Sequence, residues 1–234
     1  MELQLCELSK VYGEKTALSI DTLTFKSGEI IGLVGNNGAG KTTLLRLMLD
    51  LIKATTGQVL SNGVPVNEDT TWKHYTGSYI DRRFLIDFYT PEEYFQFIAD
   101  AYGIDHDIAK MRLEQYSDLM HDEVLGTGKY LKEFSEGNRQ KIGIIGAMLI
   151  EPQILILDEP FNYLDPSSQI AVAHHIKRLN ERLGTTVIIS SHNLNYITDV
   201  TTRILLLEKG YIVKDIANEA GSAFDELNHY FIAQ

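Results

Sequence analysis

The chain has 234 residues, 44% of them hydrophobic, and a net charge of −11. That length suits one large domain or two closely packed ones, with ample core to bury. The acidic balance disfavours sequence-independent nucleic-acid binding, which needs a Lys/Arg surface to displace counterions.

In chain order, short apolar or alternating runs predict strands near 3–8, 18–25 and 30–34. The third, Ile30-Ile31-Gly32-Leu33-Val34, runs directly into Gly35-Asn36-Asn37-Gly38-Ala39-Gly40-Lys41-Thr42-Thr43. The spacing G-x-x-x-x-G-K-[ST] between a strand and a helix is that of a phosphate-binding loop. Gly35, Gly38 and Gly40 lack a Cβ, so the backbone can curl and aim its N–H groups at phosphate oxygens. The helix starting near Lys41 adds the positive end of its dipole. Lys41 is placed for the β- and γ-phosphates, Thr42 for Mg²⁺, and Thr43 for the α-phosphate of a nucleoside triphosphate. The plain alternative is a Gly-rich turn; the apolar helix after it, through Leu44, Leu45, Leu47, Met48 and Leu49, argues against that.

Further strands are predicted near 58–61 and 77–80, after which the pattern turns helical until about residue 150. Thr90-Pro91-Glu92-Glu93 is a capping box with Pro at the first helical position, and that helix stops before Gly103. A second helix is expected over about 106–120, and a third from Gly137 to Ile150, ended by Glu151-Pro152. Phe134-Ser135-Glu136-Gly137-Asn138 opens the third helix with a Ser cap, a weak signal by itself.

Ile154-Leu155-Ile156-Leu157-Asp158-Glu159 reads as a buried parallel strand ending in two carboxylates, where ligands bind in open α/β sheets. Asp158 is a candidate for holding Mg²⁺ through water, and Glu159 for polarising a water against the γ-phosphate. The bland reading is a pair of strand-end acids that cap the next helix. Asp165-Pro166-Ser167 is itself a good helix start. A strand at 186–190 precedes His192, one of seven histidines; His174 and His175 are expected to be solvated on an amphipathic helix. Strands at 203–208 and 211–215 flank a hairpin turn at Glu208-Lys209-Gly210. Strands and helices alternate outside the middle block, so the fold is expected to be an α/β core with an inserted all-helical subdomain. The boundaries expected are a core over about 1–88 and 152–220, helices over about 89–151, and a short C-terminal helix over about 221–234.

In this order the motifs resemble the nucleotide-binding domain of ATP-binding cassette (ABC) transporters. The resemblance covers essentially all of 1–215: the loop 35–43, a signature-like 134–141, the acidic strand 154–160, Leu164-Asp165, and His192 after Val187-Ile188-Ile189-Ser190-Ser191. It implies a P-loop NTPase core with a RecA-like mixed sheet and an N-terminal antiparallel part. It also implies an ATPase with ATP and Mg²⁺ as cofactors, in a head-to-tail homodimer that sandwiches two ATP molecules. Ser135, the Gly137 backbone and Asp165 then reach the nucleotide of the other subunit. By the same resemblance His192 touches the γ-phosphate and orients the attacking water, with a helix-cap role as the alternative. Tyr12 stacks on adenine, against the alternative of an ordinary surface tyrosine among twelve.

Three departures from the family pattern stand out. Asp81 occupies the position of the usual glutamine, where a short carboxylate can still reach Mg²⁺ through water. Glu136 and Asn138 replace commoner Gly and Gln, and Tyr163 replaces a small residue. These features resemble the bacitracin and lantibiotic-type exporters or other ABC-2-type exporters more than nutrient importers, and the short stretch after 215 agrees. Residues 84–97 are rich in aromatics; part is expected to be helical-subdomain core, while Phe84 to Tyr89 form a loop suited to a cytoplasmic helix of a membrane partner. Arg82 and Arg83 are expected to be solvated.

No secretory leader is expected from Met1-Glu2-Leu3-Gln4-Leu5. Cys6 stands alone, which fits a reducing cytosol. Apolar runs reach about five residues against the roughly 20 that span a bilayer, so membrane work needs separate permease subunits, contacted through the 81–89 loop. The expectation is therefore an exporter ATPase, cytoplasmic and peripheral on the inner face of the cell membrane, with no nucleic-acid partner. Alternatives are an importer ATPase and, against the acidic balance, a soluble ABC protein acting on nucleic acid or ribosomes.

Overall fold

A computed structural model describes residues 2–219 and 221–232. Met1 and Ala220, within the expected core, and Ala233 and Gln234, within the expected C-terminal helix, lie outside the described residues.

The chain opens with β1 (Leu3–Tyr12), β2 (Lys15–Phe25) and β3 (Ile30–Val34), then α1 (Lys41–Met48), β4 (Thr56–Ser61) and the two-residue β5 (Val64–Pro65). β1 runs to Tyr12, four residues past the expected end, because its far half still pairs with β2 through Tyr12↔Lys15. Strands β2-β1-β4-β5 make an antiparallel sheet. A second sheet is built on β3 with β6 (Thr76–Tyr79), β7 (Ile154–Asp158), β8 (Thr186–Ser191), β9 (Arg203–Glu208) and β10 (Tyr211–Ala217), in the order β10-β9-β3-β8-β7-β6. Its pairs are parallel except β10 on β9. Every residue of β3, β7 and β8 is buried, as expected of central parallel strands covered on both faces. Two apolar clusters cover those faces, one including Leu44, Leu45 and Met48 of α1, the other Leu155, Leu157 and Ile189 with the helices. This is the α/β P-loop arrangement expected, with its N-terminal antiparallel part.

Between β6 and β7 the chain is strand-free and carries α2 (Pro91–Ala101), α3 (His106–Glu114), α4 (Ser117–Met120) and α5 (Glu136–Leu149). Both halves of the Thr90 capping box form, with Glu93 N–H donating to Thr90 Oγ1 at 3.3 Å and Thr90 N–H to Glu93 Oε2 at 2.8 Å. The single helix expected over 106–120 is broken at Gln115–Tyr116. The final turn of α3 tightens, with Tyr116 N–H donating to Leu113 O at 2.9 Å, and the Tyr116 ring turns into the core. Burial there pushes the Tyr116 hydroxyl up to about 12.

α5 lies unusually close to β6. A Cβ on Gly77 would stand 2.1 Å from the Ala147 carbonyl, and one on Gly143 would stand 2.1 Å from the Tyr79 ring. Only glycine at these two positions lets the helix backbone and the strand meet at that separation.

The remaining helices are α6 (Pro166–Leu183), α7 (Leu194–Val200) and α8 (Ala223–Ile232). His174 is exposed as expected, but His175 is buried, with its Nε2 2.8 Å from Asp118 Oδ1. The helical period puts His175 on the inner stripe of α6 with Val172, Ile176 and Leu179, and Asp118 of α4 satisfies the imidazole there.

Candidate active site

β3, β7 and β8 are adjacent and parallel, so their carboxyl ends open on one edge, where α1 also begins. The loop 35–40 turns the chain from β3 into α1. Gly40, the N-cap, has φ 111°, and a Cβ there would meet the Ala17 carbonyl at 2.8 Å. Gly35 is as confined: a Cβ would lie 2.2 Å from the Leu207 carbonyl. No acidic side chain occupies the first turn of α1, which leaves its N-terminal N–H groups to an anion.

Lys41 is buried, its Nζ donating to Gly35 O at 2.6 Å and facing Glu159 Oε1 at 3.5 Å. Thr42 Oγ1 donates to Asp158 Oδ2 at 2.6 Å across 116 residues of sequence. Burial pushes the Asp158 carboxyl up, against hydrogen bonds from Ser190 and Thr42 that pull it down. Glu159 accepts from His192 N–H at 3.3 Å, and its Oε2 lies 2.8 Å from His192 Nδ1. The structure thus gathers Lys41, Thr42, Asp158, Glu159 and His192.

Tyr12 ends β1 half-exposed, with the Lys10 ammonium 4.9 Å from its ring centre. Tyr12, Lys15, residues 37–43 and Glu159 border one cleft of about 360 Å³. A second cleft, about 490 Å³, includes Asp81, Arg82, Glu136, Gln140, Glu159 and Tyr163. Glu159 lies on both.

Asp81 lines the same cleft as Asp158, and its carboxylate is engaged by Arg83. Its carboxylate accepts from Arg83 N–H and Nε at 2.9 Å each and from Nη2 at 2.5 Å, and these bonds keep it below the usual carboxylate range. Among the described residues no hydrogen bond joins Asp81 to Thr42 or Asp158. Arg82 and Arg83 are exposed as expected but paired: Arg82 with Glu136, Arg83 with Asp81. Ser135 caps α5, accepting from Asn138 N–H at 3.2 Å, and Gly137 lies under the Tyr163 carbonyl. Asp165 caps α6, accepting from Ser168 N–H at 3.0 Å. None of these three makes a hydrogen bond to residues 35–43 among the described residues.

Two side chains that sequence reading passed over complete the arrangement. Ser190 Oγ donates to Asp158 Oδ1 and accepts from Glu159 N–H at 2.8 Å. Gln140 Nε2 donates to Glu159 O at 3.1 Å. Ser190 carried a faint signal, since it stands two residues before His192 at the end of an apolar strand. Gln140 lies within the signature-like 134–141, but nothing in that pattern points it at Glu159.

The donor set fits a magnesium nucleotide. Mg²⁺ takes one or two protein oxygens plus waters and phosphates, rather than an all-protein cage. Thr42 and Asp158 supply such a pair, and no group of three or more His, Cys, Asp or Glu suited to a metal occurs among the described residues.

The ABC transporter family model matches residues 18–162. The chain belongs to the ABC transporter family. Among curated relatives, the uncharacterized ABC transporter ATP-binding protein YhcH of Bacillus subtilis (strain 168) is 33% identical over 98% of this chain and 74% of its own length. Bacitracin transport ATP-binding protein BcrA of Enterococcus faecalis is 34% identical over 89% of this chain and 67% of its own length. A solved ATP-binding subunit of an ABC transporter superposes with TM-score 0.85 at 26% identity, covering 99% of this chain and 93% of that one. As an ABC ATPase the chain binds and hydrolyses ATP, with Mg²⁺ the usual partner of that reaction. Among the described residues no helix is long and apolar enough to cross a membrane.

Proposed function

We propose that this ABC ATPase is the motor subunit of an exporter, working as a head-to-tail homodimer on separately encoded membrane subunits. The observation that carries the reading is Glu159, held between Lys41 and His192 at the mouth of the phosphate loop. In this reading residues 35–43 cradle the phosphates through backbone N–H groups, and Lys41 turns from Gly35 O to the β- and γ-phosphate oxygens. Thr42 and Asp158 would hold Mg²⁺, which would supply positive charge against the phosphates. Asp81, on the same cleft as Asp158, would reach Mg²⁺ through water when its carboxylate parts from Arg83. Tyr12 stacks on the base.

Glu159 takes a proton from a water as its oxygen bonds to the γ-phosphorus. The bond from that phosphorus to the β–γ bridging oxygen breaks, and ADP leaves with the electron pair. His192 steadies the carboxylate and the attacking water. Ser135, Gly137 and Asp165 serve the nucleotide of a second copy, which the dimeric form of a solved ABC transporter cassette supports. ATP closes the pair, and hydrolysis lets it reopen.

The membrane subunits dock against the 81–89 loop, which keeps this ATPase at the cytoplasmic face of the membrane. Phe84 and Phe88 are exposed there, with the Lys132 ammonium 4.2 Å from the Phe88 ring centre. The likeness to a bacitracin transport protein supports a peptide, drug or lipid-like cargo, while a likeness to a sulfate/thiosulfate import protein makes an importer subunit the second reading.

Glu159→Gln tests the motor: turnover should fall by about 100-fold or more, while ATP still binds and now traps a dimer seen by light scattering. Near-normal steady-state hydrolysis by this variant would overturn the role of Glu159. Direction is tested in sealed vesicles with the co-purified permease; ATP-driven movement toward the side bearing the ATPase would make it an importer subunit.

A further inference from the structure

Glu159 has a backbone that an ordinary residue avoids. Its φ is 49°, in the left-handed region, and it is not a glycine. Such a conformation persists where surrounding bonds over-determine it, and two buried side chains do so here. On one side, Glu159 N–H is shared between Ser190 Oγ at 2.8 Å and Ser190 O at 3.2 Å. The same Ser190 hydroxyl donates its proton to Asp158 Oδ1, so it uses its one donor and one of its acceptor sites within the site. On the other side, Glu159 O accepts from Gln140 Nε2 at 3.1 Å, and from Asn162 N–H at 3.2 Å. Ser190 is fully buried and Gln140 nearly so. Asp158 and Ser190 are register partners on β7 and β8, so the hydroxyl and the carboxylate are opposed by the sheet itself.

We infer that Ser190 and Gln140 are positioning residues: they grip the left-handed peptide of Glu159 from its two ends and so aim its carboxylate at the attacking water. A relaxed Glu159 backbone would swing the Cβ away from His192 and Lys41, and a misplacement of about 1 Å costs on the order of 100-fold in rate. Neither side chain touches the nucleotide in this account. The inference rests on the reading of Glu159 as base.

The test uses the full chain with Ser190→Ala and Gln140→Leu, each alone and each combined with Glu159→Gln. Each single variant should lower kcat by roughly 10- to 100-fold while ATP affinity, read with a fluorescent ATP analogue, stays within about twofold. In the Glu159→Gln background, single-turnover hydrolysis measured over hours should show no further loss with Gln140→Leu, which acts only through the carboxylate already removed. Ser190→Ala, which also unpairs Asp158, should show a smaller loss there than in wild type. Single variants with wild-type kcat would overturn the inference, as would an equal loss in the Glu159→Gln background. So would activity that falls only in step with melting temperature in both variants, since that assigns them to stability alone. If instead Glu159→Gln hydrolyses normally, the failure belongs to the base and not to its supports.

Discussion

His192 Nδ1 lies 2.8 Å from Glu159 Oε2, although 33 residues separate them. β7 and β8 are neighbours in parallel register, so residues just past their carboxyl ends are brought side by side. His192→Ala should therefore leave ATP affinity near wild type and reduce kcat by roughly tenfold or more, as read in steady-state hydrolysis. Unchanged kcat would remove the imidazole from the reaction.

Lys41 is buried with its ammonium on a backbone carbonyl, poised for anionic oxygens. Lys41→Ala removes a charge-assisted donor worth about 1.5–3 kcal/mol, so ATP affinity should fall roughly 10- to 100-fold. Isothermal titration of ATP against the variant decides this. A circular-dichroism melt should stay cooperative, because the side chain holds no structural ion pair apart from Glu159.

Asp165 accepts from Ser167 Oγ and from the Ser168 side chain and N–H, which hold its carboxyl far below the ordinary value of 3.8. A folded-state value below the unfolded one adds stability that is full above the unfolded value and is lost as pH falls through the folded one. Wild type should exceed Asp165→Asn in stability at neutral pH, with the gap closing only as pH drops below about 4. Urea titrations at several pH values measure it. A gap that widens on acidification would contradict the assignment.

Gly77 and Gly143 let α5 sit on β6 where a methyl group would collide with the Ala147 carbonyl or the Tyr79 ring. Gly77→Ala should destabilise by about 2–3 kcal/mol, and Gly143→Ala by a similar amount unless Tyr79 yields. Denaturant midpoints report the loss. Because α5 presents Ser135 and Gly137, ATP-dependent dimer formation should weaken in parallel.

His175 and Asp118 tie α6 to α4 through a buried imidazole. His175→Leu keeps the volume and frees an exposed carboxylate, so the cost should stay near 1 kcal/mol. Asp118→Ala strands the buried ring instead and should cost about 1–3 kcal/mol, a contrast that paired thermal melts resolve.

The strands of the parallel sheet and three of the helix starts were readable because their causes are local. Runs such as Ile154-Leu155-Ile156-Leu157 bury both faces, and Thr90, Ser135 and Asp165 each cap the helix that begins at the next residue. The break at Gln115–Tyr116 was not readable, since a ring finding its place in a distant core overrode a continuous helical pattern. His175 misled for the same reason: a histidine beside another histidine looks solvated until the stripe facing the core is known.

Residues close in sequence thus determined the phosphate loop, the acidic strand end and the order of motifs, because backbone geometry and periodicity act over a few residues. Only the tertiary structure decided that Arg83 engages Asp81, that Thr42 and Ser190 take the two oxygens of Asp158, and that Gln140 reaches Glu159. Apart from the Asp81–Arg83 pair, whose rotamers only a folded loop selects, those contacts arise from which strands and helices become neighbours. The order β3-β8-β7-β6 is set by burying whole faces of the sheet at once, and no short window of sequence contains that sum.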